Sequence, residues 1–352
     1  MSSSSFALDL SLDRAGMIER IVGLPRQMRD AWAQAKSTIL PPTHAGAKAV
    51  VICGMGGSAI GGDITRTLVE SEVDVPIVVV RGYELPGFVD RETLVILSSY
   101  SGSTEETLAA CDRALEVGAR TIAVTTGGVL GQRARSAGFP LLQFRFEGQP
   151  REAIGYSSLL MLGVLTQLGY TSDYSEQISA AADVLERMAA ELGPSAADGN
   201  AARGLATRCV GRIVAVYGGG LMAEVARRWK GQLNENGKTW AFFDQLPELN
   251  HNAVLGYRFP EDAGRELLVV MLSCEGNHPR IKLREQITAE LLESTGIDVH
   301  RVEARGSTRF EQVFSALYFG DFVSYYLALA NGVDPSDNSA IDHLKARLAQ
   351  GA

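Results

Sequence analysis

Two side chains capable of proton chemistry, Glu235 and His251, lie in the stretch 232–257, QLNENGKTWAFFDQLPELNHNAVLGY, a polar interruption between apolar runs. Such loops carry function more often than the scaffold around them. Leu221, Val225, Trp229 and Leu233 recur at helical spacing, which predicts a buried helix face running into Asn234, with Asn236-Gly237 as its end. Glu235 then sits at a helix C-terminus, where the partial negative charge disfavours an ionised carboxylate. A proton-abstracting base working near neutral pH needs such a setting; a solvated surface glutamate is the plain alternative. His251 exchanges protons near neutrality, with Pro247 fixing the approach and Asn250 and Asn252 available to orient the ring, although a loop histidine on its own is more often a satisfied polar group. Arg151, just after Pro150 and before a helix, has the charge to stabilise a developing oxyanion, or else makes an ordinary salt bridge at a helix start.

A second kind of chemistry is written into two loops of the first half. KAVVICGMGGSAIGGD runs from a buried-type strand into glycines, and SSYSGSTEET places Ser99, Ser101, Ser103 and Thr104 after another strand and ahead of a helix. Hydroxyls and free backbone N–H groups at a helix N-terminus make an anion site, with Ser58 contributing from the glycine loop. Thr104 as a simple helix cap is the structural alternative. Gly54, Gly56 and Ala59 also satisfy the loose GxGxxA dinucleotide pattern, but the strand PIVVVRG ends in Arg81 rather than in the acid that a ribose requires; an NADP site would tolerate that arginine.

The elements that must hold these loops alternate between strands and helices. A helical stretch covers 9–38, with Met17, Ile21, Leu24 and Met28 on one stripe, and Pro41-Pro42 closes it. Strands are predicted over 76–80, 94–98, 121–125 and 141–146, and helices over 64–69, 104–117 and 156–167, the pattern of an α/β parallel, doubly wound sheet. The second half then repeats the order: IVAVYGGGLMAEVARR echoes the glycine loop, and ELLVVMLSCEGNHP echoes the hydroxyl loop with its hydroxyls mostly replaced. The first unit is therefore expected to hold the anion and the second to supply something else. A last helix over 339–348 carries Ile341, Leu344 and Leu348 on one face. The expected organisation is an N-terminal helical segment (1–39), a first domain (40–170), a helical linker (171–194), a second domain (195–332) and a C-terminal helix (333–352).

Composition narrows the classes. A net charge of -8 argues against a nucleic-acid face. Four cysteines without a CxxC pair make a zinc cluster or disulfide framework a poor reading, and reduced thiols in a cytoplasmic protein are expected. No run approaches the ~18 apolar residues of a membrane helix, and MSSSSFALDL lacks the basic start of a signal peptide and reads as a frayed terminus. His44, His278, His300 and His343 do not cluster with acids at metal-ligand spacing, and no GxSxG elbow is present.

GMGGSAIGGD together with SYSGSTEET resembles the sugar isomerase (SIS) domain family, whose members bind phosphosugars at a Ser/Thr loop. With QPREAIGYS, LNENGKTWAFFDQLPELNHN and the terminal IDHLK added, the chain is similar to the bifunctional phosphoglucose/phosphomannose isomerases, a two-SIS-domain branch of the phosphoglucose isomerase superfamily. The likeness runs in order over nearly the whole chain from residue 40 onward, and departs at Ser103, where many members have Asn. It implies two SIS-type doubly wound, flavodoxin-like three-layer domains with N- and C-terminal helices. It further implies a phosphate pocket of Gly57, Ser58, Ser99, Ser101 and Thr104, and a catalytic group of Glu235, His251, Arg151 and Lys345. Spacing alone makes Lys345 a solvated helix residue; only the resemblance brings it to the site. The same likeness implies a homodimer with active sites at the subunit interface, the histidine reaching across from the partner, and neither metal nor cofactor. The implied reaction takes a proton from C2 of the open chain and returns it at C1 through an enediolate, converting glucose 6-phosphate and mannose 6-phosphate to fructose 6-phosphate. A non-catalytic SIS-type phosphosugar sensor is the rival; such regulators usually carry a basic helix-turn-helix, which this acidic N-terminal segment does not offer.

Overall fold

The computed structural model describes residues 8–196 and 199–351, so the serine-rich start lies outside the described residues. The chain opens on two helices, α1 (Met17–Val22) and α2 (Leu24–Ser37), where the sequence predicts one stretch. Gly23 separates them, and Pro25 suits the first turn of a new helix but not the interior of a continuing one. Met17, Ile21, Leu24 and Met28 still face the core together.

Five strands follow with their helices: β1 (Ala49–Cys53), α3 (Gly56–Val69), β2 (Ile77–Val80), β3 (Thr93–Ser99), α4 (Glu105–Glu116), β4 (Arg120–Thr125), α5 (Gly128–Ala137) and β5 (Leu141–Gln143). They form one all-parallel sheet in the order β2-β1-β3-β4-β5. Continuous apolar runs such as AVVIC are what a strand covered on both faces requires, and β1 and β3 are buried throughout. Val50, Ile52, Leu94 and Ile96 face the core shared with α2, α3 and α6, while Val51, Cys53, Val95 and Leu97 face α4 and α5.

Two helices here depart from the sequence-based expectation. α3 begins at Gly56 rather than Ile64, because its glycines serve close packing that outweighs their poor helix propensity. A Cβ on Gly61 would lie 2.6 Å from Ser157 Oγ, and one on Gly62 would lie 2.8 Å from Ile52 Cγ2. α5 carries no clear periodic signal; of its GVLGQRARSA only Leu130, Gly131 and Ala134 are buried, too thin an apolar face to read as a helix.

After α6 (Ile154–Gln167) and α7 (Ser175–Leu192) the second unit runs α8 (Ala201–Cys209), β6 (Ile213–Gly219), α9 (Ala223–Glu235), β7 (Ala241–Leu246), α10 (Ala263–Glu266), β8 (Leu267–Ser273), α11 (Pro279–Ser294), β9 (Asp298–Glu303) and α12 (Arg309–Ala330), closing on α13 (Ser339–Gln350). Its sheet is again parallel, in the order β7-β6-β8-β9, which repeats β2-β1-β3-β4. One buried cluster runs through both units, joining strands of both sheets to α2, α6, α7, α9 and α12. By length and composition α12 passes as a membrane span, but 89% of its most apolar window is buried inside the protein, as in the core helix of a packed domain. All four cysteines are free and buried.

Candidate active site

In an open parallel sheet, ligands collect beyond the C-terminal strand ends where the strand order reverses. In the first unit that point lies between β1 and β3, and the chain puts there the start of α3 and the loop 99–104. The two loops are tied together: the Tyr100 N–H donates to Ser58 Oγ at 3.1 Å. Ser99 Oγ and Thr104 Oγ1 share a hydrogen bond of 2.9 Å, and Ser99 Oγ also accepts from the Gly102 N–H at 3.1 Å. Thr104 occupies the N-cap position of α4, yet its hydroxyl makes no capping bond and points to Ser99 instead. Ser101 is exposed, and its hydroxyl accepts from the Ser103 N–H at 3.2 Å. Gly57 is required by geometry, since a Cβ there would lie 2.7 Å from Pro150 O and 3.0 Å from Arg151 N. This contact brings the start of α3 against the turn that carries Arg151.

A cavity of about 260 Å³ opens between the two units, with Gly56 and Gly57 at the start of α3 on one wall and Arg151, Gln232 and Glu235 on another. Glu235 is the last residue of α9, as the spacing predicts, with Asn236 as the C-cap. Its side chain is one-third exposed, and Arg151 Nη1 approaches Glu235 Oε2 at 3.4 Å.

Arg151 is buried, and the surrounding groups hold its guanidinium on several sides. Nε donates to Asn236 Oδ1 at 2.6 Å, Nη1 to Asn338 Oδ1 at 3.0 Å, and Nη2 to Pro335 O at 2.9 Å. Burial lowers its pKa below the ordinary arginine value, against Glu235 and Glu152. Behind it stands a second arginine. Arg228 Nη2 donates to Arg151 O at 3.0 Å and to both oxygens of Asp321, at 2.9 and 3.0 Å, while Gln232 Nε2 donates to Asp321 Oδ1 at 2.7 Å. Burial pushes the Asp321 carboxyl up, and Arg228 and Gln232 pull it back toward the ionised form.

His251 and Lys345 are not part of this cavity within the chain. His251 ends the 3-10 turn 248–251 after β7 and is exposed. The expectation that Asn250 and Asn252 orient its ring is overturned. Asn250 donates to Thr288 Oγ1 at 2.8 Å and accepts from Arg284 at 3.0 Å, and Asn252 donates to Glu248 at 3.0 Å and accepts from the Ala253 N–H. Both amides therefore fasten the loop rather than the imidazole. Lys345 stands on α13, which has no buried residue, although Asn338, the residue before that helix, reaches Arg151.

Sequence reasoning missed most of the cationic wall. Arg227, Gly231 and Glu235 are separated by one helical turn each, so RRWKGQLNE, read at the helical period, would have put basic residues on the face of Glu235. Arg227 pairs with Glu224 at 2.7 Å and its guanidinium lies 4.6 Å from the Phe243 ring centroid. Arg81, an objection to a nucleotide in the sequence, lines the cavity and pairs with the buried Asp63. Lys238 was also overlooked: its ammonium donates to Glu235 O, and to Asp337 O at 2.7 Å, clipping the end of α9 to the segment before α13. Among the described residues no group of three His, Cys, Asp or Glu side chains is placed to hold a metal ion.

Two flavodoxin-ordered parallel sheets around such a crevice are the architecture of the SIS-type sugar-phosphate isomerases. A solved structure of a hypothetical protein from Thermus thermophilus superposes with a TM-score of 0.73 at 18% identity, covering 96% of this chain and 91% of that one, a likeness of fold. Residues 198–348 match the family described as the bacterial phospho-glucose isomerase C-terminal SIS domain. A bifunctional phosphoglucose/phosphomannose isomerase of Caldicellulosiruptor bescii is 37% identical over 336 residues, 95% of this chain and 99% of the relative. Another, from Aquifex aeolicus, is 35% identical over 306 residues, 87% and 92% of the two chains. The chain belongs to the bifunctional phosphoglucose/phosphomannose isomerase family.

Proposed function

We propose that the protein is a cytoplasmic, metal-independent aldose–ketose isomerase that interconverts glucose 6-phosphate and mannose 6-phosphate with fructose 6-phosphate. The observation that carries this reading is that the start of α3, backed by the hydroxyl loop, and the Arg151–Glu235 pair meet at one cavity between the units. The phosphate is held by the Gly57 N–H and by Ser58, Ser99, Ser101 and Thr104. Glu235 takes the proton from C2 of the open-chain aldose and returns it to C1, while the electron pair of the broken C–H bond passes through the enediolate. Arg151 faces the oxygen on which negative charge develops, and its buried hydrogen-bond frame keeps it in place without reorganisation.

His251 and Lys345 enter the site through a homodimer, the histidine of one protomer opening the sugar ring in the cavity of its partner. Exposed apolar faces support such a pairing. Leu283, Ile287 and Leu291 are half-exposed along α11, Leu255 and Phe259 stand out on the loop after His251, and Ile341, Leu344 and Leu348 face solvent on α13.

Purified protein supplied with fructose 6-phosphate in the presence of a chelator is expected to yield both aldose epimers; absence of both products overturns the assignment. Glu235→Gln abolishes turnover and keeps sugar-phosphate binding, and a fully active variant removes Glu235 from the base role. Mixing inactive Glu235→Gln and His251→Ala protomers restores about a quarter of wild-type turnover, because half of the dimers are mixed and one of their two sites is intact. A mixture as inactive as its components shows that the histidine is not shared between subunits.

A further inference from the structure

The cavity wall formed by α9 is more basic than the chemistry above uses, and the counter-charges are unevenly distributed. Four arginines line the cavity, and each has a carboxylate: Arg81 has Asp63, Arg151 has Glu235, Arg227 has Glu224, and Arg228 has Asp321. Lys230 lines the same cavity, half-buried on the same helix, and has neither an ion-pair partner nor a hydrogen bond among the described residues. Gly231 beside it leaves the space open; a Cβ there would meet only Glu235 Oε1, at 3.8 Å.

An ammonium on a cavity wall that makes no ion pair or hydrogen bond within the chain gains no stabilising contact from the fold around it. The molecule elsewhere matches its cavity cations with acids, even in the interior of α12, where Asp321 sits. We infer that Lys230 is a further substrate-binding residue, an ammonium whose counter-ion is the sugar-phosphate dianion itself. The inference rests on the proposed function and deepens it. The hydroxyl loop and the start of α3 hold the phosphate by hydrogen bonds and bring no formal positive charge, whereas Lys230 supplies one across the cavity. A charge placed this way raises the local concentration of a dianionic ligand and strengthens its capture, and its effect fades as salt screens it. It should act on binding and leave proton transfer at C1 and C2 to Glu235.

Calorimetric titration with fructose 6-phosphate, at low and at high ionic strength, tests this on wild-type protein, Lys230→Met and Lys230→Arg, with turnover measured in parallel. Lys230→Met is expected to weaken binding about tenfold at low salt, to flatten its salt dependence, and to raise KM by more than it lowers kcat. Lys230→Arg restores most of the affinity, because the charge is kept. Thermal unfolding of Lys230→Met at or above the wild-type temperature separates this from a folding defect. Unchanged affinity and salt dependence in Lys230→Met, in a wild type that binds and turns over the sugar phosphate, overturns the role of Lys230 and leaves the proposed function standing. An effect confined to kcat also overturns it, by placing the ammonium at the reacting carbons. A wild type that neither binds nor isomerises the sugar overturns both readings.

Discussion

Gly57→Ala tests the claim that the start of α3 and Arg151 are positioned by one backbone contact. The added Cβ would lie 2.7 Å from Pro150 O, 2.8 Å from Pro150 C and 3.0 Å from Arg151 N. Ordinary carbon contacts need about 3.5 Å, so the 150–152 turn and the start of α3 must separate by roughly 0.5–1 Å. Ser58 and Arg151, which adjoin the contact, are both buried, so the movement passes to the Arg151 guanidinium and its distances to Glu235 and Asn236. A misplacement near 1 Å at a catalytic group costs up to about 10²-fold in rate. The expected loss in kcat/KM is therefore about tenfold to a hundredfold, equivalent to ~1.4–2.7 kcal/mol of transition-state stabilisation.

Stability should move far less. Alanine gains about 1 kcal/mol over glycine in a helix, against an overpacking cost of ~1–3 kcal/mol. The unfolding temperature thus falls by only a few degrees, while steady-state kinetics on fructose 6-phosphate show the larger effect. Gly204→Ala in α8 is the control: its Cβ meets nothing within 4 Å, so the variant gains helix propensity and leaves turnover alone. Wild-type kcat/KM in Gly57→Ala would mean that the turn tolerates displacement, and the account of Arg151 as held in place by that turn would have to be abandoned.

Asp321→Asn leaves Arg228 buried without its carboxylate and is expected to cost ~3–5 kcal/mol in urea unfolding, while the paired replacement Arg228→Met with Asp321→Leu recovers most of that stability but not the activity, because Arg151 O loses its donor. Full activity in the stable double variant would reduce the pair to a packing element. His44 and His300 both have lowered pKa values, chiefly from burial, with Arg120 and Arg208 respectively adding repulsion. The unfolded chain then binds protons more readily below pH ~6.5, so these groups make stability rise with pH through the window just below that value. Replacing both by Gln should flatten the change in urea midpoint between about pH 7.5 and 5.5; an unchanged slope removes them as its source.

The scaffold was legible because parallel strands covered on both faces are written as short apolar runs, and Val50 to Cys53 or Leu94 to Leu97 can be read in no other way once helices flank them. The repeat was legible for the same reason. α3 was only half read because its glycines argue against a helix locally, and the neighbours that require them, Ser157 and Ile52, are distant or on another element. The end of α9 was placed correctly, and with it Glu235. What spacing alone did not show was its neighbour: the resemblance groups Arg151 with Glu235, but Arg151 precedes it by most of a domain, and nothing local in PREAIGYS says that its guanidinium will lie between Glu235, Asn236 and Asn338. The amides beside His251 misled for the opposite reason. Their closeness in sequence suggested a shared task, while the fold spent Asn250 on α11 and Asn252 on its own turn.

The repeat also bears on the expectation that the first unit, rather than the second, holds the anion. The backbone of the second glycine turn copies the first: Met55 and Gly219 have φ/ψ of -127/157 and -132/158, and Gly56 and Gly220 have φ of 48 and 52. The space above the two turns is used differently. In the second unit Asn277 Oδ1 accepts from the Leu221 N–H at 3.0 Å, and its Nδ2 donates to Gly219 O at 3.0 Å and to the buried Glu285 at 3.1 Å. An amide of the protein, backed by a carboxylate, therefore occupies the position at which the first unit presents backbone N–H groups and hydroxyls, and a Cβ on Gly220 would lie 2.4 Å from Asn277 Oδ1. Closing this turn fixes the backbone that leads into α9 from within. The far end of that helix carries Glu235. One unit thus leaves its switch point without such a side-chain plug, and the other closes its own at the turn that leads into the helix whose far end sets Glu235 beside Arg151.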